Sequence, residues 1–169
     1  MNRFRIARTP VGEYRVVVDS RDRLVGIYLI GQRHEPDAGL FGDLDDTAAA
    51  GVIGQLGEYF AGRRRSFDVE LAPRGTGFQR EVWAGLRQIG YGQTASYGEL
   101  ARDIGRPRAC RAVGAATGRN PWSIIVPCHR LIGGDGSLTG YASGLSIKRR
   151  LLALEAAVLA GRPVDTALA

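Results

Sequence analysis

One short segment of the chain places a thiol and an imidazole side by side between two apolar runs. Cys128 and His129 follow Ile124-Ile125-Val126, which we predict to be a short buried strand, and Leu131-Ile132 lies just beyond them. A thiol is a strong nucleophile only as a thiolate, and an imidazole oriented by a carboxylate promotes that ionisation. Glu155, on a predicted helix whose packing would aim it inward, is the leading candidate for the carboxylate. A second interpretation stays open, because a buried free cysteine usually behaves as a small hydrophobic side chain.

Positive charge is concentrated in the second part of the chain. The formal net charge is +6 over 169 residues. Residues 1–72 hold ten arginines against eleven acidic residues, whereas residues 73–169 hold twelve arginines and Lys148 against six. Because phosphate contacts dominate the affinity of proteins for nucleic acids, the asymmetry favours a nucleic-acid partner. A bias towards arginine in the composition, with no ligand, is the alternative.

Length and composition exclude several classes of protein. The chain fits one ordinary domain or two small ones that share a core, and 44% hydrophobic with 24% charged residues indicates a folded protein. No apolar run approaches the roughly 18 residues that span a bilayer, so we expect a cytoplasmic protein without a membrane segment. Cys110 and Cys128 are too few for a disulfide scaffold or a structural zinc set. We expect no metal and no cofactor.

The first part, residues 1–72, is predicted to form a small α/β domain. Alternating apolar residues indicate an antiparallel meander of three strands, at residues 4–7, 14–18 and 24–30. An acidic start suits the positive end of a helix, which Gly62 would end; its acidic residues are Asp43, Asp45 and Asp46. Residues 67–71 are a further candidate strand, and residues 72–75 are the candidate linker.

The second part, residues 73–169, is predicted to be mainly helical. Thr76 with Gln79, and Ser96 with Glu99, have the spacing of capping boxes, so a helix is expected to start at each. A third helix would follow after a turn around a glycine, which is the pattern of a helix-turn-helix. A last helix, which carries Glu155, is predicted to start near residue 146.

The third predicted helix has two different faces. It would open at Pro107 and run to about Gly118, with an inner face of Ala109, Ala112, Val113 and Ala116. Small residues let a helix approach a ligand closely, and arginine can neutralise phosphate or fill a gap in stacked bases. The outer face is small and basic, with Arg108, Arg111, Ala115 and Gly118. A three-helix core with solvated arginines is the alternative interpretation.

Sequence motifs in a fixed order occupy residues 75–155. They are Gly75-Thr76-Gly77-Phe78-Gln79, Val82-Trp83, Tyr91-Gly92-Gln93-Thr94-Ala95-Ser96-Tyr97, Arg111-Ala112-Val113-Gly114-Ala115, Asn120-Pro121, Ile125-Val126-Pro127-Cys128-His129-Arg130, Gly140-Tyr141 and Lys148-Arg149-Arg150-Leu151-Leu152, before Glu155. In order and spacing they resemble the O6-alkylguanine-DNA alkyltransferase family, also called methylated-DNA–protein-cysteine methyltransferases. Residues 1–72 match that family only in general layout.

The resemblance implies an α+β fold and a repair activity. A small N-terminal α/β domain with an antiparallel sheet would precede a C-terminal winged helix-turn-helix domain that carries the active-site cysteine. The activity would be irreversible, single-turnover transfer of an alkyl group from O6-alkylguanine, and from O4-alkylthymine as a further substrate, to Cys128. The partner would be double-stranded DNA, from which the damaged base is flipped, and the protein would be a monomer that can cluster on DNA.

The resemblance also implies roles for individual residues. Cys128 would accept the alkyl group, His129 would reach it through a water, Glu155 would polarise His129, and Asn120 would brace the turn that holds the cysteine. Arg111 would fill the space of the flipped base, and Tyr97 would crowd a phosphate and hydrogen-bond the base. The remaining DNA-facing residues would be Arg108, Ala112, Gly114 and Ala115. The alkyl and base pocket would comprise Tyr141, Ala142, Ser143, Leu131 and Pro127.

Three positions depart from the family's pattern, and two rival functions remain. Gly90 stands where proline is usual, and Ser143 stands where glycine is common. Cys110 is not a usual family position; we interpret it as structural, with an exposed oxidisable thiol as the alternative. One rival is a lesion sensor or winged-helix regulator that binds DNA without repair, against which the thiol of Cys128 argues. The other is a cysteine hydrolase, which would need substrate turnover and no DNA.

Overall fold

A four-stranded sheet forms the N-terminal part of the structure, a computed structural model that describes residues 1–169. Strands β1 (Arg3–Thr9), β2 (Gly12–Val18) and β3 (Leu24–Leu29) pair antiparallel in sequence, which confirms the predicted meander. The short β4 (Asp43–Leu44) pairs parallel with β1, so the sheet order is β3-β2-β1-β4. Tyr14 and Val16 of β2 lie in the main core, while Val17 on the other face packs in a smaller apolar cluster.

Helix α1 (Ala50–Phe60) starts later than its acidic residues suggested. Asp43 belongs to β4, and Asp45 closes a turn instead, because its carboxylate accepts hydrogen bonds from the backbone and hydroxyl of Thr47. Gly62, at a φ of +75°, follows the helix as predicted. The candidate strand at residues 67–71 is wrong, since only Leu71 forms an isolated bridge with Leu24.

Both capping boxes are confirmed, and the helix-turn-helix follows from the second. Thr76 Oγ1 accepts the Gln79 N–H at the start of α2 (Gly77–Leu86), and Ser96 Oγ accepts the Glu99 N–H at the start of α3 (Tyr97–Asp103). Helix α4 (Cys110–Gly118) starts three residues after Pro107, which lies in the preceding turn with Arg108. The inward position predicted for Ala112 is wrong, since its side chain is exposed. Cys110, the first residue of α4, is exposed as well, so the structure favours the exposed thiol over a structural cysteine.

The chain after α4 is less regular than the sequence suggested. The short strand predicted at residues 124–126 is a turn, in which Ile124 has a φ of +72°. A short 3₁₀-helix, Cys128–Arg130, leads into β6 (Leu131–Ile132), which pairs parallel with β5 (Ala95–Ser96). Helix α5 (Leu145–Leu159) carries Glu155 as predicted, and a short α6 (Val164–Leu168) that the sequence did not indicate packs against it.

The N-terminal sheet and the C-terminal helices share one apolar core. The main cluster of buried side chains includes Tyr14 and Leu24 of the sheet together with Cys128 and Leu154. At the sheet edge, Trp122 Nε1 donates to the Leu24 carbonyl at 2.9 Å, so β3 supports the segment that leads to Cys128. The division into domains 1–72 and 73–169 stays a prediction. No helix is long and apolar enough to cross a bilayer.

Candidate active site

Cys128 lies at the start of its 3₁₀-helix and is held there by a closed turn. Asn120 Nδ2 donates to the Val126 carbonyl at 2.9 Å, and Asn120 Oδ1 accepts the Trp122 N–H at 3.0 Å. One side chain thus ties both ends of the turn that precedes the cysteine. The Cys128 side chain is 8% exposed and lines a cavity of about 470 Å³. The thiol is therefore shielded from bulk water yet faces a space of small-ligand size.

His129 and Glu155 form a buried pair beside the cysteine. His129 Nε2 lies 2.8 Å from Glu155 Oε1, and both side chains are 0% exposed. Helix α5 brings Glu155 across from a position 26 residues further along the chain. The structure therefore brings the predicted carboxylate to the predicted imidazole.

The Glu155 carboxylate has further donors that the sequence did not indicate. Arg130 Nη2 donates to Oε1 at 2.9 Å and Arg130 Nε to Oε2 at 3.0 Å, while the Tyr59 hydroxyl donates to Oε1 at 2.8 Å. The Gly92 N–H donates to Oε2 at 3.1 Å. Burial alone would raise the pKa of Glu155, but the hydrogen bonds from His129 and Arg130 and the arginine charge lower it to about 2. Glu155 is ionised at neutral pH.

The pair fixes which nitrogen of His129 carries the proton. Burial lowers the pKa of His129, against the opposing effect of Glu155, so the ring is neutral at pH 7. An ionised carboxylate can only accept a hydrogen bond, so the proton is on Nε2 and Nδ1 keeps its lone pair. Nδ1 is buried and has no partner within the protein. His129 therefore has a free basic nitrogen.

Lys148 is a buried cation near the thiol that the sequence did not identify as part of the site. Its side chain is 0% exposed, and Nζ donates to the carbonyls of Leu131 and Thr139. Burial raises the pKa of the Cys128 thiol, whereas the hydrogen bond from Asn120 and the charge of Lys148 act to lower it. One signal was present in the sequence, because Lys148 is the only lysine among 22 arginines.

The predicted catalytic and pocket residues divide into those that line the cavity and those that do not. Tyr97, Asn120, Tyr141 and Ala142 line the same cavity as Cys128, and the Tyr141 hydroxyl lies 3.1 Å from the Ser123 hydroxyl. Three others are adjacent in sequence but do not line it: Leu131 is fully buried, Pro127 lines a separate cavity of about 220 Å³, and Ser143 Oγ is buried without a partner. Their pocket roles stay predictions.

The predicted DNA-facing surface is exposed and free of ion pairs. Arg111, Ala112 and Ala115 are exposed on α4, and Arg108 is exposed in the turn before it. Neither arginine pairs with a carboxylate. Gly114 lies beside the Tyr97 ring, and a Cβ at this position would make ordinary van der Waals contact with the ring at 3.6 Å. Helix α4 therefore lies next to a residue that lines the cavity.

Two family models together match most of the chain. Residues 2–73 match the 6-O-methylguanine DNA methyltransferase ribonuclease-like domain, and residues 77–157 match the 6-O-methylguanine DNA methyltransferase DNA binding domain.

No group of three or more His, Cys, Asp or Glu side chains is arranged to hold a metal ion. The expectation of no metal and no cofactor stays a prediction.

Curated relatives and a solved structure agree with these models. A methylated-DNA–protein-cysteine methyltransferase of Mycolicibacterium paratuberculosis is 47% identical over 92% of this chain and 93% of its own. One of Methanosarcina acetivorans is 63% identical over 60% of this chain and 65% of its own. Mycobacterium tuberculosis OGT, solved in complex with DNA, superposes with a TM-score of 0.89 at 44% identity, covering 98% of both chains. The chain therefore belongs to the methylated-DNA–protein-cysteine methyltransferase family.

Proposed function

We propose that this protein repairs DNA by moving the alkyl group of O6-alkylguanine onto the sulfur of its own Cys128. The observation that carries the proposal is the arrangement around the thiol. Cys128 faces a cavity of about 470 Å³, and the adjacent His129 is neutral and held by ionised Glu155. That arrangement can take a proton from a thiol and leave a nucleophile in a water-poor site.

The reaction is an in-line displacement at the alkyl carbon. A bond forms between Cys128 Sγ and that carbon as the bond from the carbon to O6 breaks, and its electron pair passes to guanine. The thiol proton moves to His129 Nδ1, directly or through a water. The Tyr97 hydroxyl, which lines the cavity, donates a hydrogen bond to the leaving base and stabilises the charge that develops on it. Guanine takes its proton from solvent, and His129 releases the thiol proton to solvent, so the protons balance.

The thioether product makes the protein a single-turnover transferase. A thioether carbon does not readily expel its thiolate, so the alkyl group stays on the sulfur of Cys128. Each molecule therefore acts once. Because the acceptor must be a reduced thiol, we assign the protein to the cytoplasm, where thiols stay reduced.

Access to the O6 position requires that the base leave the DNA stack. Extrusion costs a few kcal/mol, and less for a damaged pair. The exposed, unpaired Arg111 on α4 can enter the stack in place of the base, and Arg108 can neutralise a phosphate. We assign double-stranded DNA that contains O6-alkylguanine as the partner, and O4-alkylthymine as a further substrate. The protein would act as a monomer that can cluster on DNA.

Intact mass spectrometry after incubation with a duplex that contains one O6-methylguanine tests this function. We expect the mass of the protein to rise by that of one CH2 unit, because a methyl group replaces the thiol hydrogen, to a limit of one methyl per molecule. An unmodified duplex is the control. An unchanged mass with tight binding would instead indicate a lesion sensor, and repeated turnover of a small substrate without DNA would indicate a hydrolase.

A further inference from the structure

The cavity that holds Cys128 is not built by the C-terminal part alone. Its wall includes Gln32, Arg33 and His34, which follow the last antiparallel strand of the N-terminal sheet. These residues face the same space as Tyr141 and Cys128. The N-terminal part therefore contributes a surface to the site, in addition to the support that β3 gives at Trp122.

A backbone hydrogen bond joins the segment 32–34 directly to the opposite wall of the cavity. The backbone N–H of Arg33 donates to the carbonyl of Ala142 at 3.2 Å. Ala142 is itself a cavity residue, and its own N–H has no acceptor within the protein. A peptide held by its carbonyl has a fixed orientation, so this hydrogen bond fixes the Ala142–Ser143 peptide beside the cavity.

Hydrogen bonds within the N-terminal part hold the segment in place. Gln32 Oε1 accepts the Leu29 N–H at 2.9 Å, which continues the end of β3. Glu35 pairs with Arg15 of β2 and accepts the Gly31 N–H at 3.3 Å. The segment is thus held by hydrogen bonds to the N-terminal sheet on one side and to Ala142 on the other. Such a wall resists displacement by a substrate, so its shape can limit which substrates enter.

Gln32, Arg33 and His34 all line both this cavity and a neighbouring one of about 510 Å³, so the segment lies between the two spaces. His34 is the member whose side chain can be removed while the backbone keeps its conformation, because it lies in the left-handed region at a φ of +57°, which suits glycine. Its side chain is exposed. Shortening it would widen the passage between the cavity of Cys128 and the space beside it.

We propose that the segment Gln32–His34 is a specificity-determining wall of the alkyl pocket, and that the His34 side chain limits the size of the alkyl group accepted. The proposal rests on the proposed function of Cys128. It gives the N-terminal part a role in substrate choice: a large group such as benzyl meets His34, whereas methyl does not.

The test compares single-turnover rates with two free bases, O6-methylguanine and O6-benzylguanine. We expect His34→Gly to raise the ratio of the benzyl rate to the methyl rate about tenfold, the scale on which pocket size discriminates. Glycine suits a positive φ, so this variant keeps the backbone conformation. His34→Asn, which also tolerates that φ, should give a smaller rise. Asp37→Ala is the control, because Asp37 lines only the neighbouring cavity.

Each other outcome would overturn a defined part of the argument. An unchanged ratio in His34→Gly, or an equal loss on both bases, would show that the segment does not select substrates. A change seen only with duplex DNA would make the segment a DNA contact instead of a pocket wall. A wild-type protein that transfers neither alkyl group from either a free base or duplex DNA would contradict the proposed function itself.

Discussion

At the scale of single residues, the carboxylate of Glu155 accepts hydrogen bonds from three distant parts of the chain. Tyr59 reaches it from α1, Gly92 from the loop before β5, and His129 and Arg130 from the 3₁₀-helix. Removing the counter-ion of a buried charge is strongly destabilising, so the carboxylate and the charged donor beside it depend on each other. Glu155 therefore has two functions: it orients His129, and it neutralises Arg130 in the core.

Replacement of Glu155 by glutamine should cost stability and change its dependence on pH. Because Arg130 would lose its counter-ion in a buried position, we expect Glu155→Gln to lower the free energy of unfolding by about 3–5 kcal/mol at pH 7. The pKa of Glu155 lies at about 2 in the fold against an ordinary 4.5. Its contribution is therefore fully present above pH 4.5 and is lost as the pH falls towards 2. Urea denaturation between pH 2.5 and pH 7 measures both effects.

The matched control is Glu58→Gln. Glu58 pairs with Arg64 at the surface, where 44% of its side chain is exposed, so its loss should cost less than about 1 kcal/mol. A variant at position 155 that is as stable as the control, with the wild-type pH profile, would show that the buried network does not hold the site together.

At the scale of elements, local signals predicted more than long-range ones. The strands of the meander and both capping boxes depend on neighbouring residues, and the sequence predicted them correctly. Helix α4 starts after Pro107 because residues 107–109 form a turn. Proline is tolerated both in a turn and at the first position of a helix, so its presence does not show which of the two forms. Residues 124–126 are apolar because the core surrounds them, and apolar character alone does not distinguish a buried turn from a strand.

The site itself was predicted only in part. Cys128, His129 and Glu155 are recognisable by type and motif. Tyr59 is 96 residues from Glu155, and no local pattern shows that α1 packs there. No sequence pattern predicts that residues 32–34 line the cavity of Cys128 either. Their position depends on how the N-terminal sheet packs against the segment that contains Tyr141 and Ala142.

Helix α4 provides a prediction about base flipping. If Arg111 fills the space of the extruded base, its loss raises the free energy of the flipped state by on the order of a few kcal/mol. We expect Arg111→Ala to slow repair of duplex DNA tenfold or more, at about 1.4 kcal/mol per tenfold, while reaction with free O6-benzylguanine stays nearly normal. Single-turnover rates on the two substrates measure the difference.

Arg162→Ala is the control for the loss of one positive charge, since Arg162 is exposed after α5 and forms no ion pair. It should leave both rates close to those of the wild type. Equal loss on both substrates in Arg111→Ala would assign that arginine to packing or to phosphate binding instead.

At the scale of the whole molecule, the separation of charge predicts how DNA binding responds to salt. Residues 73–169 carry a formal charge of +7, and residues 1–72 carry −1. If arginines of the basic part contact phosphates, the logarithm of affinity should fall linearly with the logarithm of salt concentration, by about 0.9 for each phosphate neutralised. Fluorescence anisotropy with an unmodified duplex measures the slope. A flat response would mean that the charge asymmetry is a matter of composition alone.

The most direct test of the central claim is to locate the transferred methyl group within the chain. After reaction with O6-methylguanine duplex, cleavage at arginine places Cys128 in the peptide of residues 120–130 and Cys110 in that of residues 109–111. We expect the methyl group only in the first peptide, in the wild type and equally in Cys110→Ser, and in neither peptide of Cys128→Ser. A methyl group on residues 109–111, or a Cys128→Ser variant that still gains one, would contradict the assignment of Cys128 as the acceptor.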